Sequence, residues 1–197
     1  MEKKLQGIKK KVTECTKCEL SETRNNAVPG KGNYKSDVIF VGEAPGKNED
    51  MKGEPFIGVA GNKLSAALES AGITRDQVYI TNIVKCRPPK NRVPTTIERN
   101  TCQNYLKKEI EIIKPKIICI LGNTAFNSLL DGKEITKFRG KIVRKNNQLY
   151  FLTIHPAATI YNQKLISVLK KDIKKLFKLI KKIKEGEKIK INIEYAS

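Results

Sequence analysis

Residues 37–61 read DVIFVGEAPGKNEDMKGEPFIGVAG, and the way this stretch breaks decides the fold. Val38-Ile39-Phe40-Val41 is too short for a helix, and it is β-branched and apolar enough for a strand covered on both faces. Gly42-Glu43-Ala44-Pro45-Gly46 ends that strand in a loop. In open α/β sheets ligands bind beyond the carboxyl ends of strands, so this loop is where a small polar molecule is expected. Phe56, a lone aromatic between Pro55 and Gly58, offers a flat face to a ring.

Downstream, Asn62 is the expected cap of a helix with Leu64, Ala67, Leu68 and Ala71 on one face, ended by Gly72. Val78 to Thr81 forms a second strand with Asn82 at its end, and the prolines of Val84-Lys85-Cys86-Arg87-Pro88-Pro89 forbid regular structure there. Thr95 with Glu98 makes a capping box for a helix to about Ile113 that carries Cys102 in its first turns. Ile117 to Leu121 is a third strand, followed by a helix through Leu130. Strand, helix, strand, helix, strand implies a parallel sheet with helices on both faces. Lys141–Arg144 and Leu149–Ile154 flank Asn146-Asn147 as a strand pair, and the second strand ends at His155-Pro156-Ala157-Ala158.

From Lys164 to Lys190 eleven lysines alternate with Leu165, Leu169, Ile173, Leu176, Ile180 and Ile183 at helical spacing. This basic amphipathic helix is expected to dock with its Lys face in water, ahead of a dedicated membrane or partner helix. The final INIEYAS frays or pairs as an edge strand. Upstream, Leu5, Ile8 and Val12 predict a helix leading into Cys15-Thr16-Lys17-Cys18, and Arg24 to Gly32 reads as loop.

The totals narrow the function. Lys and Arg number 39 against 20 Asp and Glu, a net charge of +19. Such an excess points to a polyanion, nucleic acid first and an acidic membrane surface second. A Lys-rich surface tuned for heat is the bland reading, but there Glu usually rises with Lys. The 197 residues suit one domain, 1–197, with a Lys-rich helix and tail at about 163–197. No apolar run reaches the ~18 residues of a membrane span and no signal-peptide core precedes Cys15, so a soluble, cytoplasmic, nucleoid-associated protein without a membrane partner is expected.

Glu43, Asn82 and His155 each close a strand, and in a parallel sheet all three meet at one edge within reach of one ligand. His155 is the single histidine. Asn82 offers an acceptor and a donor pair, which suits a base edge with a donor beside an acceptor. Cys15, Cys18, Cys86 and Cys102 are four thiols suited to zinc or an iron-sulfur cluster, whereas Cys119, inside a strand, is expected to be inert.

GEAPG with Glu49-Asp50, EPFIG around Phe56, TNIVKCRPP from Thr81 to Pro89, Cys102 and HPAA at His155 together resemble a family 4 uracil-DNA glycosylase, over Cys15 to about Leu169. The resemblance implies a three-layer α/β/α sandwich around a central four-stranded, mainly parallel sheet. It also implies a 4Fe-4S cluster on Cys15, Cys18, Cys86 and Cys102, pinning DNA-binding loops beside the sheet. By position, Gly42, Glu43 and Ala44 line the uracil pocket, Phe56 stacks on the base, Asn82 reads its polar edge and His155 faces the oxygen on which charge develops. Like the family, the chain has no Asp in its first motif; Ala44 stands where a water-directing carboxylate is expected elsewhere in the superfamily. Glu43 and Glu49 are the candidate water activators, beside a route carried by leaving-group stabilisation.

After His155-Pro156 the chain reads Ala157-Ala158-Thr159-Ile160-Tyr161, so Ile160 or Tyr161 is the expected wedge into the duplex. Lys85, Arg87, Lys90 and Arg92 are the expected phosphate-binding residues. Uracil-containing DNA, single- or double-stranded, is the expected partner of a monomeric enzyme that hydrolyses the N-glycosidic bond, with a sliding clamp as a further candidate partner for the tail. The rival class is a non-enzymatic nucleic-acid-binding protein stapled by iron-sulfur or zinc.

Overall fold

The computed structural model describes residues 1–195, so Ala196 and Ser197 of the expected edge strand lie outside the described residues. The strands are β1 Lys31–Gly32, β2 Val38–Gly42, β3 Tyr79–Asn82, β4 Ile117–Leu121, β5 Ile142–Lys145, β6 Gln148–Thr153 and β7 Ile193–Glu194. The α-helices are α1 Glu2–Thr13, α2 Leu20–Thr23, α3 Lys47–Lys52, α4 Val59–Glu69, α5 Thr96–Ile113, α6 Asn123–Leu130, α7 Ile135–Phe138, α8 Ala158–Tyr161 and α9 Leu165–Lys184.

The sheet order is β1-β3-β2-β4-β6-β5-β7. At its centre β3, β2, β4 and β6 run parallel, the four-stranded core that the family resemblance implies. Among the described residues the sheet has seven strands rather than four: β5, antiparallel to β6, and the edge strand β7 lie where the strand pair and the INIEYAS edge strand are expected, whereas β1, two residues at the end of the expected Arg24–Gly32 loop, is too short to carry a pattern. Asn146 and Asn147 make the turn between β5 and β6 with φ of 48° and 61°, the doubly left-handed geometry that asparagine tolerates in a tight hairpin.

Successive strand side chains point to opposite faces, so each apolar run feeds two layers. Ile39, Val41, Ile118 and Ile120 meet Leu5, Ile8 and Val12 of α1 and Leu106 of α5 on one face. Val38, Phe40, Cys119 and Leu121 meet Leu64 and Leu68 of α4 and Leu169, Ile173 and Leu176 of α9 on the other. Helices on both faces of the sheet make three layers. Asp172 of α9 is buried and fastens the helix to the sheet, accepting from Thr153 Oγ1 at 2.8 Å and from Arg139 at 2.6 and 3.0 Å. Among the described residues no helix is long and apolar enough to cross a membrane.

One helix start follows the sequence reading and another departs from it. The capping box of α5 forms as read, with Glu98 N–H donating to Thr95 Oγ1 at 3.2 Å and Thr95 N–H to Glu98 Oε2 at 2.7 Å. For α4 the cap is Gly58 rather than Asn62, and the loop after β2 contains the short helix α3. Both differences come from Glu49, whose carboxylate accepts from Gly46 N–H at 3.1 Å, Ile57 N–H at 2.9 Å and Gly58 N–H at 2.7 Å. One side chain thus takes up the unpaired donors at the starts of two helices. The basic helix α9 ends at Lys184, shortly before Gly186, rather than running to Lys190.

Candidate active site

The ends of β2 and β3 lie side by side, with Gly42 in register with Asn82. Pairing continues past the strands, since Ile83 N–H donates to Gly42 O at 2.9 Å and Val84 N–H to Glu43 O at 3.2 Å. The segment after β3 therefore holds the segment after β2. Beyond them opens a cavity of about 510 Å³, of a size for one small ring system, whose lining includes Glu43, Ala44, Phe56, Asn82 and His155. Gly42 lies beneath it rather than in its lining: a Cβ there would fall 2.5 Å from Asn82 Oδ1 and collide with the Phe56 ring, so only glycine lets both side chains sit this close. A larger cleft, about 870 Å³ between α1 and the β1 loop, lacks these strand-end groups.

Asn82 is buried, and its Oδ1 has no hydrogen-bond partner among the described residues. A buried acceptor left unpaired costs on the order of 1–3 kcal/mol, a cost that a ligand donor would remove. Phe56 is also buried and holds φ at 53°, a conformation strained for a non-glycine residue. Arg75 fixes it there, donating to Phe56 O and Pro55 O at 2.9 Å each. The Phe56 ring lies 5.8 Å from the His155 ring, tilted by 36°. Arg75→Met is expected to lower stability by about 2–3 kcal/mol through the removal of charge-assisted bonds, read as a lower denaturant midpoint with an unchanged slope.

His155 is half-buried and follows β6. Gly122, at φ 89° before α6, admits it, since a Cβ there would stand 2.8 Å from His155 Cβ. Burial pushes the ring pKa down to about 4, only partly opposed by Glu49, so the imidazole is neutral near pH 7. Its Nδ1 accepts from Ala157 N–H at 3.2 Å, which assigns the single ring proton to Nε2. The ring is therefore expected to show no titration near pH 6.5 and to take up a proton only towards pH 4, measured as the imidazole NMR shifts against pH. Stability follows the same shift: between pH 6.5 and about 4 the unfolded chain binds a proton that the folded ring refuses, so folding weakens as pH falls through that window.

Glu43 is half-buried at the cavity wall and accepts from Thr124 Oγ1 at the start of α6, while Glu49 has its carboxylate committed to three backbone donors. Tyr161, almost fully exposed, lines the cavity from α8, and Ile160, less exposed, precedes it on the same helix outside the lining. At the rim Arg87 Nε donates to Asn91 Oδ1 at 2.7 Å, and Arg92 grips Glu98 with two bonds of 2.6 and 2.8 Å.

Lys85 corrects a sequence expectation. Rather than facing phosphate, it is 1% exposed, its Nζ donating to Glu109 Oε2 at 2.7 Å, to Asn82 O at 3.0 Å and to Thr81 Oγ1 at 2.5 Å. Tyr79 and Gly30 also donate to Glu109. Glu109, Thr124 and Arg75 carried no local signal, because each is joined to the site by a residue distant in sequence, Lys85, Glu43 and Phe56 respectively.

Cys86 and Cys102 are buried, and Cys15 and Cys18 pack half-buried against the same core. Arg24 donates to Cys86 Sγ at 2.9 Å and Lys85 N–H to Cys102 Sγ at 3.2 Å. Burial pushes the Cys102 thiol up to about 12 and raises Cys86. Among the described residues no three His, Cys, Asp or Glu side chains form a group that could hold a metal ion. Cys119 is fully buried in β4 and its thiol is pushed well above its ordinary pKa, as expected of a core cysteine.

The family model for the uracil DNA glycosylase superfamily matches residues 29–181. A type-4 uracil-DNA glycosylase of Sulfurisphaera tokodaii is 46% identical, with 89% of this chain and 84% of that protein aligned. That of Archaeoglobus fulgidus is 43% identical, covering 89% and 92%, and that of Thermotoga maritima 41% identical, covering 92% and 97%. The chain belongs to the uracil-DNA glycosylase superfamily and, within it, to the type-4 uracil-DNA glycosylases.

Proposed function

We propose that the cavity above Gly42 receives a uracil extruded from DNA and that Asn82, Phe56, His155 and Glu43 remove it. The protein is a monofunctional uracil-DNA glycosylase of base-excision repair, which hydrolyses the N-glycosidic bond and leaves an abasic site. The observation that carries the assignment of the cavity is the buried, unpartnered Oδ1 of Asn82.

Extrusion from the stack costs a few kcal/mol, recovered by stacking and hydrogen bonds in the pocket. Phe56 supplies the stacking face. Asn82 accepts from uracil N3–H and donates to O4; cytosine presents the reverse pattern and would leave buried groups mispaired. As the C1′–N1 bond breaks, its electron pair passes to the uracil ring, and the Nε2–H of neutral His155 donates to the oxygen that gathers the charge. A neutral donor suits this role, because it stabilises the anion without giving up its proton. Water adds to C1′. Glu43, oriented by Thr124, is the carboxylate we assign to the water and the electron-poor sugar, whereas Glu49 acts as a brace for the loop. Tyr161 or Ile160 is the wedge.

We infer further that Cys15, Cys18, Cys86 and Cys102 hold a 4Fe-4S cluster. What supports this is the chemistry of the donors, since Cys15 and Cys18 pack against the core that holds Cys86 and Cys102, two of the thiols receive N–H donors, and buried thiols that resist ionisation alone ionise when a metal supplies positive charge; the described side chains are not themselves drawn into a metal-binding group, so the cluster would gather them. The cluster would serve as a structural staple with no part in bond cleavage. In this reading the enzyme works as a monomer on uracil-containing DNA.

The test is an end-labelled oligonucleotide with one U opposite G, opposite A or unpaired, treated with alkali after incubation. Cleavage at U alone, and only after alkali, is the expected result. A brown, folded, DNA-binding protein that leaves U intact would instead be the stapled binder.

A further inference from the structure

The lysines of α9 are used neither by the cavity nor by the core. Lys171, Lys174, Lys175, Lys178, Lys181, Lys182 and Lys184 are all exposed, and with Lys170 they cover the side of the helix opposite Leu169, Ile173, Leu176 and Ile180. The only acid within the helix, Asp172, is buried against Arg139 and cannot offset them. Lys181, Lys182 and Lys184 have acidic neighbours in Glu185, Glu187 and Asp37, and Lys175 donates to Gly140 O at 2.6 Å. Lys171, Lys174 and Lys178 have no acidic partner among the described residues and follow one another at three- and four-residue spacing on one face.

The stripe also runs away from the cavity. α9 begins just after α8, beside the cavity mouth, and ends where Lys184 meets Asp37 at 3.1 Å, immediately before the first residue of β2 and thus at the opposite end of the parallel strands. A helix of this length spans about 30 Å, longer than the width of a duplex. DNA lying across the strand ends with a base in the cavity therefore does not cover the middle and far turns of α9. The helix is also unsuited to a bilayer, because the apolar face that would insert is packed on the sheet, with Leu169, Ile173, Leu176 and Ile180 all buried.

We propose that the lysine face of α9 binds the phosphate backbone of a second DNA segment while the cavity end engages the first, so that the protein passes between segments without fully dissociating. This rests on the reading that the cavity end binds DNA, and it adds a second, sequence-independent surface to it.

The test uses the full-length protein and the triple variant Lys171→Gln, Lys174→Gln, Lys178→Gln. Dissociation from an immobilised, undamaged duplex is followed while free duplex is added at constant ionic strength. The wild type is expected to dissociate faster in proportion to added duplex, and the variant to lose that dependence. Its log–log salt slope for duplex binding is expected to fall by about 2–3, at ~0.9 for each phosphate no longer neutralised, with uracil release from a short single-stranded oligonucleotide unchanged. Dissociation of the wild type independent of added duplex, or an equal acceleration in the variant, overturns the proposal. Retained DNA behaviour with abolished binding to anionic phospholipid vesicles overturns it in favour of a membrane surface. Undamaged DNA is the probe throughout, so failure of uracil release leaves this result readable.

Discussion

His155→Ala is expected to lower the single-turnover rate of uracil release by about 10² to 10³ while leaving the fold and duplex binding intact. The size follows from the proposed role, one preorganised donor directed at the oxygen where charge develops, in a site where the imidazole is neutral and its Nδ1 is occupied by Ala157 N–H. His155→Gln, which keeps an N–H donor, is expected to recover part of the loss. A rate within a few-fold of wild type for His155→Ala would remove the residue from the mechanism.

Glu109→Gln is expected to destabilise the protein by about 3–5 kcal/mol, because it strands the Lys85 ammonium in the core. Lys85 and Glu109 have side chains only 2% and 1% exposed, whereas Lys31–Glu54, of similar length at 2.6 Å, is largely exposed. Breaking that surface pair is expected to change stability by about 0–1 kcal/mol. Replacing Lys85 and Glu109 together by Met and Leu should restore only part of the loss, since two apolar side chains leave no charge unpaired but deprive Gly30 N–H and the Tyr79 and Thr81 hydroxyls of their acceptor. Denaturant midpoints of the single and double variants check this. The pair also reaches the cavity, as Lys85 Nζ holds the carbonyl of Asn82 from below.

Much of this fold is legible in the chain because its signals are local. Val38 to Val41 and Ile117 to Leu121 are apolar runs too short to be helices, Thr95 and Glu98 form their capping box within one turn, and Asn146-Asn147 carries its own turn chemistry. The meeting of Glu43, Asn82 and His155 around one cavity follows from the parallel order of the strands they close.

Interactions across the chain were illegible. Gly58 caps α4 because Glu49, nine residues earlier, reaches its N–H, and nothing near Asn62 reveals that. Lys85 stands in a run with Arg87, Lys90 and Arg92 that reads as a phosphate patch, but its partner Glu109 lies 24 residues on and draws it into the core. Arg75 follows a turn and looks like any surface cation until the carbonyls of Pro55 and Phe56 are seen beside it.

The most direct measurement is the single-turnover rate of base release by wild type and by Asn82→Ala, on strands that differ only in carrying U or C at one position. Release at U and not at C by the wild type is predicted, with the rate at U about 100-fold lower in a folded Asn82→Ala, as expected when a closed site is deprived of its reading group. An Asn82→Ala protein that removes uracil as fast as wild type would contradict the assignment of this cavity as the place where the base is read.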